Sequence, residues 1–99
     1  MYMEQYLEKA VGVTFGGCQS VIKSLNRGDR LELIPEPENP YDNGAIRIEH
    51  NGRKCGYVKR DGWLYNAINR ECADPHCEVY QITGGCNGMY YGLTMRILI

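Results

Sequence analysis

Between Pro35 and Gly44 the chain reads Pro-Glu-Pro-Glu-Asn-Pro-Tyr-Asp-Asn-Gly, with prolines at 35, 37 and 40. Proline lacks a backbone donor, fixes φ and restricts the residue before it, so this stretch is neither a helix nor an interior strand. It is a shaped loop with little backbone freedom. The runs on either side alternate apolar and polar residues: Arg30–Ile34 carries Leu31 and Leu33 on one face, and Ala45–His50 carries Ile46 and Ile48. A rigid loop between two half-buried strands commits this part of the chain to β-structure.

The remaining segments follow the same logic. Leu7–Phe15 ends in the alternating run Val11-Gly-Val-Thr-Phe15 and reads as a first strand closed by Gly16-Gly17. Gln19–Leu25 has the apolar spacing of a short helix, with Asn26-Arg-Gly28 as its stop. Asn51-Gly52 is a strong hairpin signal, because both central residues of that turn need positive φ. Its return strand is Arg53–Val58. Asp61 is the expected N-cap of a helix from Gly62 to about Glu71, with Trp63, Ala67 and Arg70 on one stripe and Leu64 and Ile68 beside it. Glu78–Thr83 and Tyr91–Ile99 read as two last strands around the turn Gly84-Gly-Cys-Asn-Gly88. Six strands and two short helices define a mainly β (α+β) chain, and close strand spacing favours a small barrel.

A length of 99 residues leaves room for one domain over residues 1–99. Apolar residues make up 43% and charged residues 23%, which excludes a disordered chain. The longest apolar run is far short of the ~20 residues of a membrane helix, and the N-terminus lacks a signal peptide's apolar centre. A cytoplasmic protein without membrane association is therefore expected. Five cysteines, an odd count, argue for reduced thiols rather than a disulfide framework. The net charge of −1 gives no global attraction to nucleic acid, but the charges are segregated. Asp29, Glu32, Glu36, Glu38 and Asp42 face only Arg30 in the first segment, whereas Arg47, Arg53, Lys54, Lys59 and Arg60 face only Glu49 in the next. The second segment supplies a local cationic patch.

Val11-Gly-Val-Thr-Phe15, Leu31-Glu-Leu-Ile-Pro-Glu-Pro-Glu-Asn-Pro-Tyr-Asp42, Ala45-Ile46 and Gly56-Tyr-Val58 together resemble the HIRAN domain family, in matching order from about Leu7 to Ile99. The densest part is Glu36-x-x-Asn39-Pro40-Tyr41-Asp42-x-x-Ala45-Ile46. The resemblance implies a small β-barrel related to OB and SH3-like folds. It implies a module that captures single-stranded DNA at a 3′ end, found in SWI/SNF-type repair helicases and in free-standing bacterial and phage proteins. By that resemblance Asn39, Tyr41 and Asp42 contact a terminal nucleotide. Tyr57 stands where a DNA-contacting member has histidine, and Arg60, with Lys59 beside it, matches a basic position. Glu8–Ala10 offers neither the arginine nor the aromatics that a DNA-binding member carries in its first strand. The partners implied are nucleic acid and a helicase or nuclease protein, in DNA repair or replication-fork processing. No Walker A pattern is present, so motor activity does not follow.

A strand-end site needs a π surface for a base, a partner for the terminal sugar and cations for phosphate. Tyr41 supplies the first, Asp42 an acceptor for a free 3′-hydroxyl, and Lys59 and Arg60 the cations. Each has a second reading. Asn39 and Asp42 are also favoured turn residues, Tyr41 also fits as a lid over the barrel mouth, and Lys59 and Arg60 also fit as a solvated strand end. Tyr90 and Tyr91 read first as lids over the core. Cys72, His76 and Cys77 form a weaker zinc-binding alternative, without the paired spacers of most zinc sites. No nucleophile–base–orienter set or cofactor motif is present, so a binding domain rather than an enzyme is expected, with no cofactor. A protein–protein interaction module using the same barrel surface is the alternative.

Overall fold

A computed structural model describes residues 4–99. Six strands and two helices follow in the order β1 (Gln5–Lys9), α1 (Cys18–Ser24), β2 (Arg30–Pro35), β3 (Ile46–His50), β4 (Arg53–Tyr57), α2 (Trp63–Glu71), β5 (His76–Gly84) and β6 (Tyr91–Leu98). The strands form one antiparallel sheet in the order β1-β6-β5-β2-β3-β4. This is the mainly β fold with two short helices that the spacing predicts. β3 and β4 are joined by Asn51 and Gly52 at φ 51° and 80°, as the Asn-Gly signal requires.

The core fills from alternate positions. β6 buries Leu93, Met95 and Ile97, β3 buries Ile46 and Ile48, and α1 contributes Val21 and Ile22. α2 closes the core with Leu64 and Ala67, while Ile68 and Tyr65 pack at its margin. Cys55 and Cys77 behave as small apolar residues in the same core, and burial pushes both thiols up to about 12.

Two expectations are corrected. The first strand is Gln5–Lys9, not the alternating run up to Phe15, because the chain turns at Gly12 (φ 65°) and Gly16 (φ 58°). Asp61 does not cap α2: it adopts a left-handed φ of 60°, and Gly62 takes the N-cap position without a side-chain hydrogen bond. β6 lies between β1 and β5, inside the sheet.

The sheet is curled rather than continuously closed. Its outer strands meet through one bridge, where Val11 and Tyr57 exchange backbone hydrogen bonds of 2.9 and 2.8 Å. Extending that antiparallel register would set Lys9 opposite Lys59, a like-charge pair that disfavours further pairing. Past Tyr57 the chain also turns away, as the Gly62 amide donates to the Lys59 carbonyl at 3.3 Å.

The bridge depends on Gly56, which adopts φ 156° and where a Cβ would lie 3.0 Å from the Val11 carbonyl. Gly56→Ala should therefore destabilise the fold by about 1–3 kcal/mol and speed hydrogen exchange at the Val11 and Tyr57 amides first. Unchanged exchange at those two amides would show that the bridge tolerates a side chain there.

Candidate nucleic-acid interface

The proline-braced loop is organised by one carboxylate. Glu36 accepts hydrogen bonds from Asn39 Nδ2 (2.9 Å), from Arg47 Nη1 on β3 (2.7 Å) and from the Tyr57 hydroxyl at the end of β4 (3.0 Å). Burial works to raise its pKa, but the donors from Asn39, Arg47 and Tyr57 outweigh it and hold the carboxyl below its ordinary range. Burial and the Glu36 hydrogen bond both raise the Tyr57 phenol, so it stays a neutral donor. Arg47 is further held by Glu49.

Asn39 passes this order along the loop. Its Oδ1 accepts the backbone amides of Tyr41 (2.9 Å) and Asp42 (3.1 Å), fixing the turn that presents both residues. Asp42 in turn accepts from the Tyr65 hydroxyl of α2 (2.8 Å) and the Gly44 amide (2.9 Å) through the same oxygen, Oδ1. Its other oxygen lies 3.7 Å from Arg60 Nε. The Tyr65 hydrogen bond is the main force holding the Asp42 carboxyl below its ordinary range, with the Gly44 amide and Arg60 adding to it against the pull of burial. Asn69 Nδ2 donates to the Gly44 carbonyl at 2.9 Å, so α2 anchors the far end of the loop twice.

These contacts frame a cleft of about 530 Å³ lined by Val11, Phe15, Asn39, Tyr41, Asp42, Ala45, Tyr57, Val58 and Arg60. Its floor is apolar, and its rim carries two rings that face solvent, Tyr41 at 89% exposure and Phe15 at 71%. Such exposure of large aromatic side chains beside an apolar cleft marks a binding surface rather than a core margin. The cleft lies beside the Val11–Tyr57 bridge, where sheet closure is narrowest.

Of the six residues singled out from sequence, Asn39, Tyr41, Asp42, Tyr57 and Arg60 line this cleft. Lys59 does not; it is exposed on the turn leading to α2. Asn39 serves loop architecture with both ends of its amide, whereas Tyr41 is fully presented. Sequence reading missed Val11, Phe15, Ala45 and Val58 as lining residues, and Glu36, Arg47 and Tyr65 as their supports. A signal existed for Phe15: it is the chain's one phenylalanine, set between Gly12 and Gly16-Gly17, where an aromatic ring cannot be a regular strand residue.

The zinc alternative is not supported by placement. Cys77 faces the core, His76 and Glu78 face outward from the same strand 3.2 Å apart, and Cys72 is exposed at the C-terminus of α2. Among the described residues no three His, Cys, Asp or Glu side chains are grouped to hold a metal ion. Tyr91 packs on the core while its neighbour Tyr90 is exposed. Among the described residues no helix is long and apolar enough to cross a membrane.

A curled antiparallel sheet with a braced loop, an apolar floor and an aromatic rim defines a small β-fold binding module. More specifically, the chain belongs to the HIRAN domain family, which matches residues 9–91. Over 38 residues it is 40% identical to Helicase-like transcription factor of Mus musculus, and equally so to that of Oryctolagus cuniculus. Those matches cover 37% of this chain and 4% of each relative's length. The crystal structure of the HIRAN domain of human HLTF shares the fold, with a TM-score of 0.62 over 95% of this chain and 74% of that one at 24% identity.

Glu36 makes the loop acid-sensitive. Because its folded pKa lies below the ordinary 4.5, its stabilising contribution is complete above that value and is lost as pH falls through the folded one. Glu36→Gln should lower Tm near neutral pH by about 4–8 °C, the effect of losing about 1 kcal/mol. The gap to the unsubstituted chain should narrow as the buffer is acidified below the ordinary carboxylate range. A gap independent of pH, followed by thermal melts across that range, would show that the carboxylate charge does not hold the loop.

Proposed function

We propose that this chain is a nucleic-acid-binding module that receives the 3′ end of single-stranded DNA in the Tyr41–Asp42 cleft. The observation that carries the reading is the Tyr41 ring, 89% exposed yet set on a loop fixed at both ends, beside an apolar floor. Such a ring stacks on a base of any identity. A preordered loop also avoids much of the entropic cost of closing on a ligand.

Asp42 and Arg60 give the cleft its polarity. Asp42 commits Oδ1 to the loop, so Oδ2 is the atom placed to accept from a terminal 3′-hydroxyl, with the Arg60 guanidinium 3.7 Å away for the preceding phosphate. A terminal phosphate at the same place would meet the carboxylate charge directly. Lys59, exposed next to Arg60, adds a second cation along the departing strand. Membership of the HIRAN family and the 40% identity to a protein named Helicase-like transcription factor support a nucleic-acid partner, and a helicase or nuclease companion in DNA repair or fork processing belongs to the same proposal.

Fluorescence anisotropy with a single strand ending in a 3′-hydroxyl, against the same strand ending in a 3′-phosphate, tests this directly. The hydroxyl end should bind more tightly. Tyr41→Ala should weaken it roughly 5- to 150-fold, the loss of about 1–3 kcal/mol of stacking. Arg60→Ala should make the dependence on log[salt] shallower by about 0.7, one phosphate contact on a single strand. Equal binding of both ends would reduce the site to a general single-strand surface. Binding of neither would overturn the nucleic-acid reading in favour of a protein adaptor.

A further inference from the structure

A second opening in the sheet lies between β2 and β5. These neighbours pair at only two positions, Arg30 with Glu78 and Leu31 with Cys77. The direction of each β2 residue's backbone groups follows from the flanking bonds. The Val79 amide donates to the Asp29 carbonyl at 2.9 Å, so odd-numbered residues of β2 turn their N–H and C=O towards β5. On the other side, the Glu36 amide donates to the Ala45 carbonyl at 2.8 Å, and the register pairs Glu32 with Glu49 and Ile34 with Arg47. Even-numbered residues therefore serve β3.

The next pair on the β5 side would join Leu33 to Pro75. Proline has no N–H to give, and the ladder stops there. Among the described residues no backbone hydrogen bond joins Leu33 to the segment 73–75. The Leu33 N–H and C=O are left on the wall of a groove of about 320 Å³. β2 forms one side of it, and Ile68 of α2 with Ala73, Asp74 and Pro75 forms the other. A short stretch of sheet edge is thus held open beside Ile68, Ala73 and Pro75.

The rim carries an unbalanced charge. Glu32 is exposed and stands directly opposite Glu49 across the ladder, an unfavourable like-charge pair. Glu49 pairs with Arg47, which it shares with Glu36, whereas among the described residues Glu32 pairs with no cation. Asp74 adds a second carboxylate on the facing wall. Arg30, also on the rim, stands across from Glu78, which Arg96 and His76 already engage.

We propose that this groove docks an extended segment of a partner protein, which adds to the β2 edge through the Leu33 backbone and sets a Lys or Arg opposite Glu32. The backbone groups match a peptide in strand conformation, whose own N–H and C=O complement the donor and acceptor of Leu33. Leu33, Ile68 and Pro75 offer apolar contact to the residue paired with Leu33, and Glu32 and Asp74 favour a basic neighbour. The groove shares no lining residue with the Tyr41–Asp42 cleft, so this inference does not rest on the nucleic-acid reading.

The test uses the full chain and a labelled octapeptide of alternating valine and lysine, followed by anisotropy and by amide hydrogen exchange. Binding should slow exchange of the Leu33 amide. Replacing single peptide N–H groups by ester oxygens should weaken binding about tenfold at the valine facing Leu33, with little effect at the adjacent positions. Glu32→Lys should weaken the lysine peptide and improve binding of a valine–glutamate one. Absence of binding, ester effects without this alternation, or peptide binding that leaves the Leu33 amide unprotected would each overturn the proposal. Leu33 protection in peptide-free protein that sediments as a dimer would assign the groove to a second copy and overturn it too. Neither nucleic-acid arm bears on these readouts, because the two sites are probed with different ligands.

Discussion

The Glu36 carboxylate receives donors from three segments that are distant in sequence or separated by turns: Asn39 in the loop, Arg47 on β3 and Tyr57 at the end of β4. A half-buried carboxylate with no partners would be a liability, and one with three donors is a rigid joint. Through Asn39 this joint sets the amides of Tyr41 and Asp42, and through Tyr57 it ties the loop to the strand that forms the opposite wall of the cleft. The prolines act on the other side of the balance. They remove conformations from the unfolded loop, so less entropy is lost when Glu36 gathers its donors.

α2 has a larger role than covering the core. Leu64 and Ala67 face inward, but Tyr65 and Asn69 on the neighbouring stripe reach the loop at Asp42 and at the Gly44 carbonyl. Gly44 is required there for space: a Cβ would fall 2.2 Å from the Tyr65 hydroxyl. The exposed Tyr41 ring is therefore buttressed by the sheet at one end of its loop and by a helix at the other. A fully exposed tyrosine on an unbraced loop would lose much of its stacking energy to ordering.

Local periodicity was legible wherever one face of a strand is buried and the other wet. β3 and β6 show it, and the Asn51-Gly52 turn and the proline loop follow from residue chemistry alone. β1 was misplaced because its residues are largely exposed and carry no alternation, while Val11–Phe15 alternates by chance around Gly12. The cleft was legible as far as its loop, because Asn39, Tyr41 and Asp42 are adjacent in sequence. Glu36, Arg47 and Tyr65 were not, because side-chain pairings between residues 11 to 23 apart leave no mark in spacing. Cys72, His76 and Cys77 show the converse error. Closeness in sequence suggested a cluster, but successive strand residues point to opposite faces, so Cys77 and His76 are parted by the pleat.

Both candidate surfaces arise where hydrogen bonding between neighbouring strands gives out. At the β1–β4 seam the ladder is reduced to Val11 and Tyr57, where the chain turns away and a Lys9–Lys59 pair would disfavour extension. At the β2–β5 seam Pro75 ends it after two pairs. A chain of this size has few residues to spend on a separate binding lobe, since nearly every buried side chain is needed for the single core. Leaving seams partly open exposes apolar side chains and backbone groups that the sheet has already positioned, without dedicating further residues to the task. Full closure would satisfy more backbone groups but would remove the gap beside Tyr57 and the edge at Leu33. A like-charged lysine pair and a proline, which disfavour closure, thus leave two distinct surfaces, one with an apolar floor beside Tyr41 and the other with the Leu33 backbone at its edge.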